Sequence, residues 1–413
     1  MSAPAAAPSR RVNVRTPEVM ERVQAEVETH YRSLLVEAIR TKGSIVQIGN
    51  TTVRLARDFG FCYGVERAID LAYAARRVFA DRRVFLLGEI IHNPEVNRQL
   101  SEMGIVSIPI SQQEEEVAKL TNEDVVIVPA FGAETKLMNL ISTRGCMVVD
   151  TTCGDVMSVW KRVRNYAKTG FTSIIHGKAS HEETRATSSR ALGDSGNGHY
   201  LVILTLADVD YICDYIRHGG DRDTFYERFK GADAYSPGFD PDLHLQRVGV
   251  ANQTTMLKSE TEEIQRRLQK AVEARDGVGS SHFQVFDTIC GATQERQDSL
   301  FGLLQQPLDV LLVVGGYNSS NTAHLVEIGE QQLPTFFIRT AECLTSLEQI
   351  VHFDLHLKAE KTSYSGKLAA SDEPVMIGIT AGASCPNNLI EDTLLRVFAL
   401  RGVSEDTVRA AVL

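Results

Sequence analysis

The 413-residue sequence has no apolar run near the roughly 20 residues needed to span a bilayer, so no membrane role is expected. Long basic stretches are also missing: 43 Lys and Arg face 53 Asp and Glu, a formal net charge of −10. Displacing the counterions of a nucleic acid needs a cationic surface, so no nucleic-acid partner is expected. A pocket for a small anion stays compatible with that charge, because local donors govern it. Among the seven cysteines there is no Cys-x-x-Cys pair, which removes zinc ribbons and thioredoxin-like motifs; the odd count in a long chain argues against a disulfide framework. Neither a P-loop pattern nor Gly-x-Gly-x-x-Gly occurs, so no nucleotide is indicated. The start lacks the apolar core of a secretory signal, and Glu18, Glu21, Glu26 and Glu28 make the next segment too acidic for a transit peptide. A cytoplasmic location is expected.

What is present is a globular balance, 43% apolar and 23% charged residues, in a chain long enough for several domains. Residues 1–11 are Ala-, Pro- and Ser-rich and expected to be disordered, and apolar spacing of three to four residues predicts one amphipathic helix over 16–39. Residues 1–49 read as an N-terminal extension. Beyond it, apolar strands at 84–87, 125–128, 173–175, 201–204, 310–314 and 375–379 alternate with helices at 65–79, 156–167, 294–304, 323–331 and 388–399. That alternation predicts an α/β fold with parallel sheets. It divides into domains at 50–152, 153–286 and 287–413, with an insertion or extended loop region at about 195–246 and a polar surface loop at about 357–372.

Three cysteines share one kind of junction, an extended segment, then Cys, Gly and a helix: Arg57-Asp-Phe-Gly-Phe-Cys62-Tyr-Gly64, Val149-Asp-Thr-Thr-Cys153-Gly154 and Phe286-Asp-Thr-Ile-Cys290-Gly291. Repetition of the junction suggests a pseudo-threefold arrangement whose strand ends converge on one centre. Thiolates at helix N-termini are stabilised by unpaired N–H groups, and such sulfurs suit a cubane cluster. Three ligands for four irons leave one iron open, as catalysis requires. A lone cysteine is more often a small buried hydrophobe, and Cys146, Cys213, Cys343 and Cys385 are read that way.

A second set of residues suits an anion. Gly315-Gly-Tyr-Asn-Ser319-Ser320-Asn321 and Ala381-Gly-Ala-Ser384-Cys-Pro386 each join a strand to a helix, with Pro386 expected as first residue of its helix. Small hydroxyl and amide residues at such turns supply donors to phosphate oxygens, although ordinary capping explains each turn singly. The third set handles protons: His176-Gly-Lys-Ala-Ser180-His181-Glu182-Glu183 follows a strand, while Ser180-x-x-Glu183 also reads as a capping box. His92 precedes a helix expected to be capped by Asn93 with Pro94 first; Asn252-Gln-Thr254-Thr255 ends an apolar run.

Together these phrases resemble the 4-hydroxy-3-methylbut-2-enyl diphosphate reductases, the IspH or LytB family. The matching stretches are Gly60-Phe-Cys-Tyr-Gly-Val65, Gly88-Glu-Ile-Ile-His-Asn-Pro94, Asp150-Thr-Thr-Cys153, His181-Glu-Glu183, Gln253-Thr-Thr255, Cys290-Gly-Ala-Thr-Gln-Glu-Arg-Gln297, Asn318-Ser-Ser-Asn321 and Thr380-Ala-Gly-Ala-Ser384. The resemblance implies a trefoil of three α/β domains around a 4Fe–4S cluster held by Cys62, Cys153 and Cys290. It implies that His92 and His181 contact the substrate or its diphosphate, that Glu183 delivers a proton and that Thr254 lies near the substrate hydroxyl. Ser319, Ser320, Asn321 and Ser384 are implied to form the diphosphate pocket. The implied activity is reductive dehydroxylation of the allylic diphosphate to isopentenyl and dimethylallyl diphosphates, with ferredoxin or flavodoxin as electron donor. Phe131 stands where many bacterial members carry a histidine; there and in length the chain resembles the longer plant and cyanobacterial branch. Rival readings are another three-cysteine cluster enzyme, quinolinate synthase-like or diphthamide-synthesis-like, and a non-catalytic metal- or phosphate-binding module.

Overall fold

The computed structural model describes residues 10–286, 288–370 and 372–413. Expected disorder at the start falls largely on residues 1–9, which lie outside the described residues, as do Asp287 of the third cysteine phrase and Ser371 of the polar stretch. The chain forms two compact units. The first comprises the described residues up to Val14 with Val78–Ile90 and Gly104–Cys290; the second comprises Arg15–Arg77, Ile91–Met103 and Gly291–Leu413.

Two wholly parallel sheets make the first unit. One runs, in spatial order, Arg10–Arg11, Met147–Asp150, Val125–Val128, Val84–Leu87 and Ile105–Ile108. The other runs Phe283–Val285, Val248–Asn252, Thr172–His176 and Tyr200–Ile203. Val125–Val128 and Val248–Asn252 are buried at every position, because a parallel strand covered on both faces needs a continuous apolar run. In the second unit a five-stranded sheet runs Thr335–Ile338, Val310–Val314, Val375–Ala381, Thr51–Leu55 and Ile45–Ile48, parallel except for its last strand. The expected α/β class with parallel sheets is therefore what forms. Thr51–Leu55, far away in sequence, pairs with the strand that begins at Val375.

Four local expectations need correction. The single helix over 16–39 is two helices, Pro17–Tyr31 and Leu34–Thr41. Arg32 and Ser33 are extended, and the Ser33 hydroxyl accepts from the Val36 N–H, capping the second helix. Residues 195–246 are not a loop: they hold Tyr200–Ile203 and the helices Leu206–His218, Arg222–Arg228 and Pro241–His244. Phe225, Phe229 and Phe239 from this stretch join Val209 and Ile212 in one apolar cluster. The polar residues that imitated loop composition are caps, with Thr205, Asp221 and Asp240 each accepting a backbone N–H at a helix start. In 357–372, Ala359–Tyr364 pairs antiparallel with Gln349–Asp354. Its residues are almost all exposed, so no apolar alternation marked it as a strand. Pro386 is the N-cap of Asn387–Leu400, one residue before the helix rather than its first residue. Among the described residues no helix is long and apolar enough to cross a membrane.

Candidate functional site

Seven cysteines separate into two populations. Cys146, Cys213, Cys343 and Cys385 are buried. Burial pushes the thiols of Cys146 and Cys385 upward and that of Cys213 to about 11, so they remain protonated hydrophobes. Cys62, Cys153 and Cys290 are only partly buried, and each stands one residue before a helix: Tyr63–Val78, Gly154–Thr169 and Gly291–Leu304. The backbone holds each in place. Cys62 donates its N–H to Ala383 O (3.2 Å), Cys153 to Ala130 O (2.8 Å) and Cys290 to Thr254 O (3.4 Å). Partly exposed sulfurs at positive helix ends are the donor set an iron–sulfur cluster takes; the four core thiols are not.

In the first unit the neighbouring strands Thr172–His176 and Val248–Asn252 run in register, with His176 opposite Asn252. Their exits are therefore adjacent. Gly177 is needed there, because a Cβ on it would lie 2.9 Å from both Gln253 Cβ and Thr184 Oγ1. Lys178 N–H and Thr184 Oγ1 both donate to Gln253 Oε1, at 3.2 and 3.1 Å, tying one exit to the other. The helix Glu182–Ala191 then starts with His181 as N-cap, whose Nδ1 accepts the Glu183 N–H at 3.1 Å. In the neutral ring this leaves the proton on Nε2. The capping-box reading of Ser180 and Glu183 does not hold. Instead the Glu183 carboxylate turns to the other exit, accepting the Thr254 N–H at 2.6 Å and the Thr254 hydroxyl at 2.9 Å. Glu183 is 3% and Thr254 6% exposed. Thr254 thus binds Glu183 through its N–H and hydroxyl and Cys290 through its carbonyl. Phe131 packs edge-on to His181 with ring centroids 6.3 Å apart.

In the second unit the strand Val310–Val314 leads through residues 315–318 to Ser319, the N-cap of Ser320–Glu330. The Ser319 hydroxyl accepts from Thr322 N–H (3.3 Å) and Thr322 Oγ1 (3.0 Å). Next to it, Ser384 donates to His92 O (3.2 Å) and lies 3.4 Å from the Ser319 hydroxyl. Close backbone approach explains two glycines: a Cβ on Gly316 would lie 2.5 Å from His92 O, and one on Gly382 would overlap Thr322 Oγ1. His92 precedes Asn93 and Pro94, which cap and open Pro94–Glu102 as expected, and its Nδ1 is 3.4 Å from Asn318 Nδ2. Asn321 Oδ1 accepts the Ala383 N–H at 2.8 Å, which fixes the amide orientation. Its Nδ2 is buried and meets no acceptor among the described residues. A buried N–H without an acceptor is costly, and an anion with several oxygens is what such a donor and the adjoining hydroxyls suit.

The structure thus gathers His92, Ser319, Ser320, Asn321 and Ser384 in one unit, and His181, Glu183 and Thr254 in the other, with Cys62 in the former and Cys153 and Cys290 in the latter. Gln253, buried, and Asn318, exposed beside His92, are not among the site residues the sequence indicates; each lies inside a motif that gives no sign of which of its side chains turn to a neighbouring strand exit.

A sequence model of the family described as "LytB protein" matches residues 53–397. A 4-hydroxy-3-methylbut-2-enyl diphosphate reductase from Thermosynechococcus vestitus is 46% identical over 387 residues, 93% of each chain. One of the same name from Gloeobacter violaceus is 46% identical over 397 residues, covering 94% of this chain and 93% of that one. Of solved structures, one of (E)-4-hydroxy-3-methyl-but-2-enyl diphosphate reductase superposes with a TM-score of 0.50 at 26% identity, covering 84% of this chain and 99% of the other. The corresponding reductase from Plasmodium falciparum gives a TM-score of 0.61 at 20% identity, covering 86% and 90%, a likeness of fold. The chain belongs to the LytB family.

Proposed function

We infer that this chain is a reductase that converts (E)-4-hydroxy-3-methylbut-2-enyl diphosphate into isopentenyl and dimethylallyl diphosphates, the last step of the non-mevalonate isoprenoid route. One observation carries the reading: cyanobacterial reductases of that substrate match more than nine-tenths of the chain at close to half identity. The rival three-cysteine enzymes and the non-catalytic module have no such support.

Cys62, Cys153 and Cys290 are the residues to hold one 4Fe–4S cluster with an open iron. When bound, such a cluster would pass electrons singly and supply Lewis acidity. The rest of the work falls to the protein. Ser319, Ser320, Asn321 and Ser384 anchor the diphosphate through neutral donors beside His92, and His181 completes the substrate contacts. Glu183 delivers the proton with which the hydroxyl leaves as water, a general-acid contribution of about 10²–10⁴-fold; Thr254 orients that carboxyl. In balance, two electrons and two protons enter, the C–O bond breaks, and one water departs. The second proton adds at either end of the allyl unit, which yields two products. A ferredoxin or flavodoxin is the proposed electron donor, and the cytoplasm the proposed compartment.

The test is anaerobic purification followed by reduction and addition of the diphosphate substrate. A brown protein with about four irons per chain that forms both products is expected, and each of Cys62→Ser, Cys153→Ser and Cys290→Ser is expected to lose iron and turnover. A colourless protein, or an iron-loaded one that leaves the substrate untouched, overturns the reading.

A further inference from the structure

The motif that begins at Cys290 ends in Arg296 and Gln297, to which the proposed chemistry assigns nothing. Arg296 lies on the helix Gly291–Leu304 with its side chain only 7% exposed. Its Nη2 donates to two consecutive carbonyls, Gly60 O at 3.0 Å and Phe61 O at 3.2 Å. These are the last two carbonyls before Cys62. One turn further along the same helix, Ser299 donates to the Asp58 carboxylate at 2.6 Å and accepts the Asp58 N–H at 3.2 Å. A single helix face therefore grips residues 58–61 at two points. Gly60 makes the grip possible, since it adopts φ +82° and a Cβ there would meet Asn387 Oδ1 at 2.5 Å.

The grip continues beyond Cys62. The Phe61 carbonyl that Arg296 holds belongs to the same peptide unit as the Cys62 N–H, which donates to Ala383 O, while the Ala383 N–H donates to Asn321 Oδ1. A guanidinium on a peptide oxygen makes the N–H of that peptide a better donor, because hydrogen bonds in series polarise one another. Arg296 and the Cys62 peptide thus form a polarised series that ends on Ala383 O, and the N–H of the same Ala383, in the preceding peptide unit, ties that residue to Asn321.

We propose that Arg296 is a positioning residue, which with Ser299 fixes the backbone at Cys62 and joins that cysteine to the turn carrying Asn321. Significance for a cluster rests on the reductase reading above; the grip itself does not. In this arrangement Arg296 touches neither substrate nor reacting atoms. It holds one sulfur at a set distance from the diphosphate anchor, so its loss acts on the cysteine first and on substrate binding little.

Arg296→Met keeps the volume of the buried stem and removes the two bonds to Gly60 O and Phe61 O, together with those from Nη1 to Ala292 O and Glu295 within its own helix; Arg296→Lys restores charge and part of the bonding. In metal-free, reduced protein, the rate at which iodoacetamide modifies Cys62 relative to Cys153 reads the grip without any cluster. Arg296→Met is expected to raise that ratio about tenfold, the equivalent of one lost charge-assisted hydrogen bond, and to speed amide exchange over residues 58–62. The lysine variant is expected to fall between. In reconstituted protein the same methionine substitution is expected to lower iron retention and kcat while leaving KM for the diphosphate within about twofold of the parent. Should Arg296→Met not fold, Ser299→Ala removes the second grip point and is read by the same ratio. An unchanged Cys62-to-Cys153 ratio in the folded variant, or a rise in KM with kcat unaltered, overturns the proposal. A parent chain that binds no cluster overturns the reductase reading and leaves the thiol ratio to decide the grip.

Discussion

The strand exits of the two units are built alike and equipped differently. In the first unit the exits after Thr172–His176 and Val248–Asn252 bring a buried carboxylate, Glu183, against the N–H and hydroxyl of Thr254. In the second, the exits after Val310–Val314 and Val375–Ala381 bring together Ser319, Ser384 and Asn321, which are neutral, and leave the buried Nδ2 of Asn321 without an acceptor among the described residues. The difference follows from what each must do. A group that moves a proton has to be ionisable and held in one geometry. A seat for a multiply charged ligand works through several neutral donors, because a buried cation without its ligand would be expensive to hold.

Removing the ionisable group breaks this comparison most sharply. Glu183→Gln keeps the shape and accepts from Thr254 through one oxygen, yet has no acidic proton; kcat is expected to fall about 10²–10⁴-fold with substrate affinity retained, measured by anaerobic steady-state assay and by titration calorimetry. A fully active variant removes Glu183 from the mechanism. On the neutral side, Asn321→Ala deletes both the unpaired donor and the acceptor for Ala383 N–H. Here kcat/KM is expected to drop roughly 10–100-fold, mainly through KM; a pure kcat defect would place Asn321 with the proton chemistry instead. Thr254→Val sharpens the first site: the hydroxyl bond to Glu183 goes and the backbone N–H bond stays, so kcat is expected to fall by about tenfold with KM unchanged, read by anaerobic steady-state assay.

The smallest expected effect concerns stability alone. Burial pushes the Asp124 carboxyl upward, but hydrogen bonds from Arg83 and Thr121 outweigh it and hold the pKa below the usual carboxylate range. A carboxyl whose folded pKa lies below its unfolded value stabilises the fold fully above the unfolded value and loses that contribution as pH falls through the folded one. Asp124→Asn is therefore expected to flatten the acid side of the stability profile by no more than about 1 kcal/mol, since Arg83 is 65% exposed. Denaturant melts at several pH values below 5 check it; a variant with an unchanged acid slope would show that Asp124 is not among the groups that titrate with unfolding.

Legibility in the sequence depended on whether the signal was local. The central strands and the helices after Cys62, Cys153 and Cys290 were readable from apolar runs and from glycine placement. The Asn93–Pro94 helix start was equally plain. The helices of 195–246 are hidden in the sequence because capping residues such as Thr205, Asp221 and Asp240 have the composition of a loop, while the aromatic cluster that holds the helices together is spread along the chain. The exposed strand Ala359–Tyr364 carries no apolar period, since neither face is buried. At the site, residue types were legible and partners were not: nothing in Ser180-x-x-Glu183 distinguishes a carboxylate that caps its own helix from one that crosses to Thr254.

By itself the sequence determined the α/β class, the cysteines that begin helices and the phrases that mark the family, all of which rest on short-range pattern. Tertiary structure alone decided which hydrogen-bond partners those residues take: Glu183 with Thr254, 71 positions on, and Arg296 with the carbonyls of Gly60 and Phe61, more than 230 positions back. The physical reason is that parallel strands set side by side bring their exits together whatever their separation along the chain, and a buried polar group must then find its partner among whatever the neighbouring exit offers.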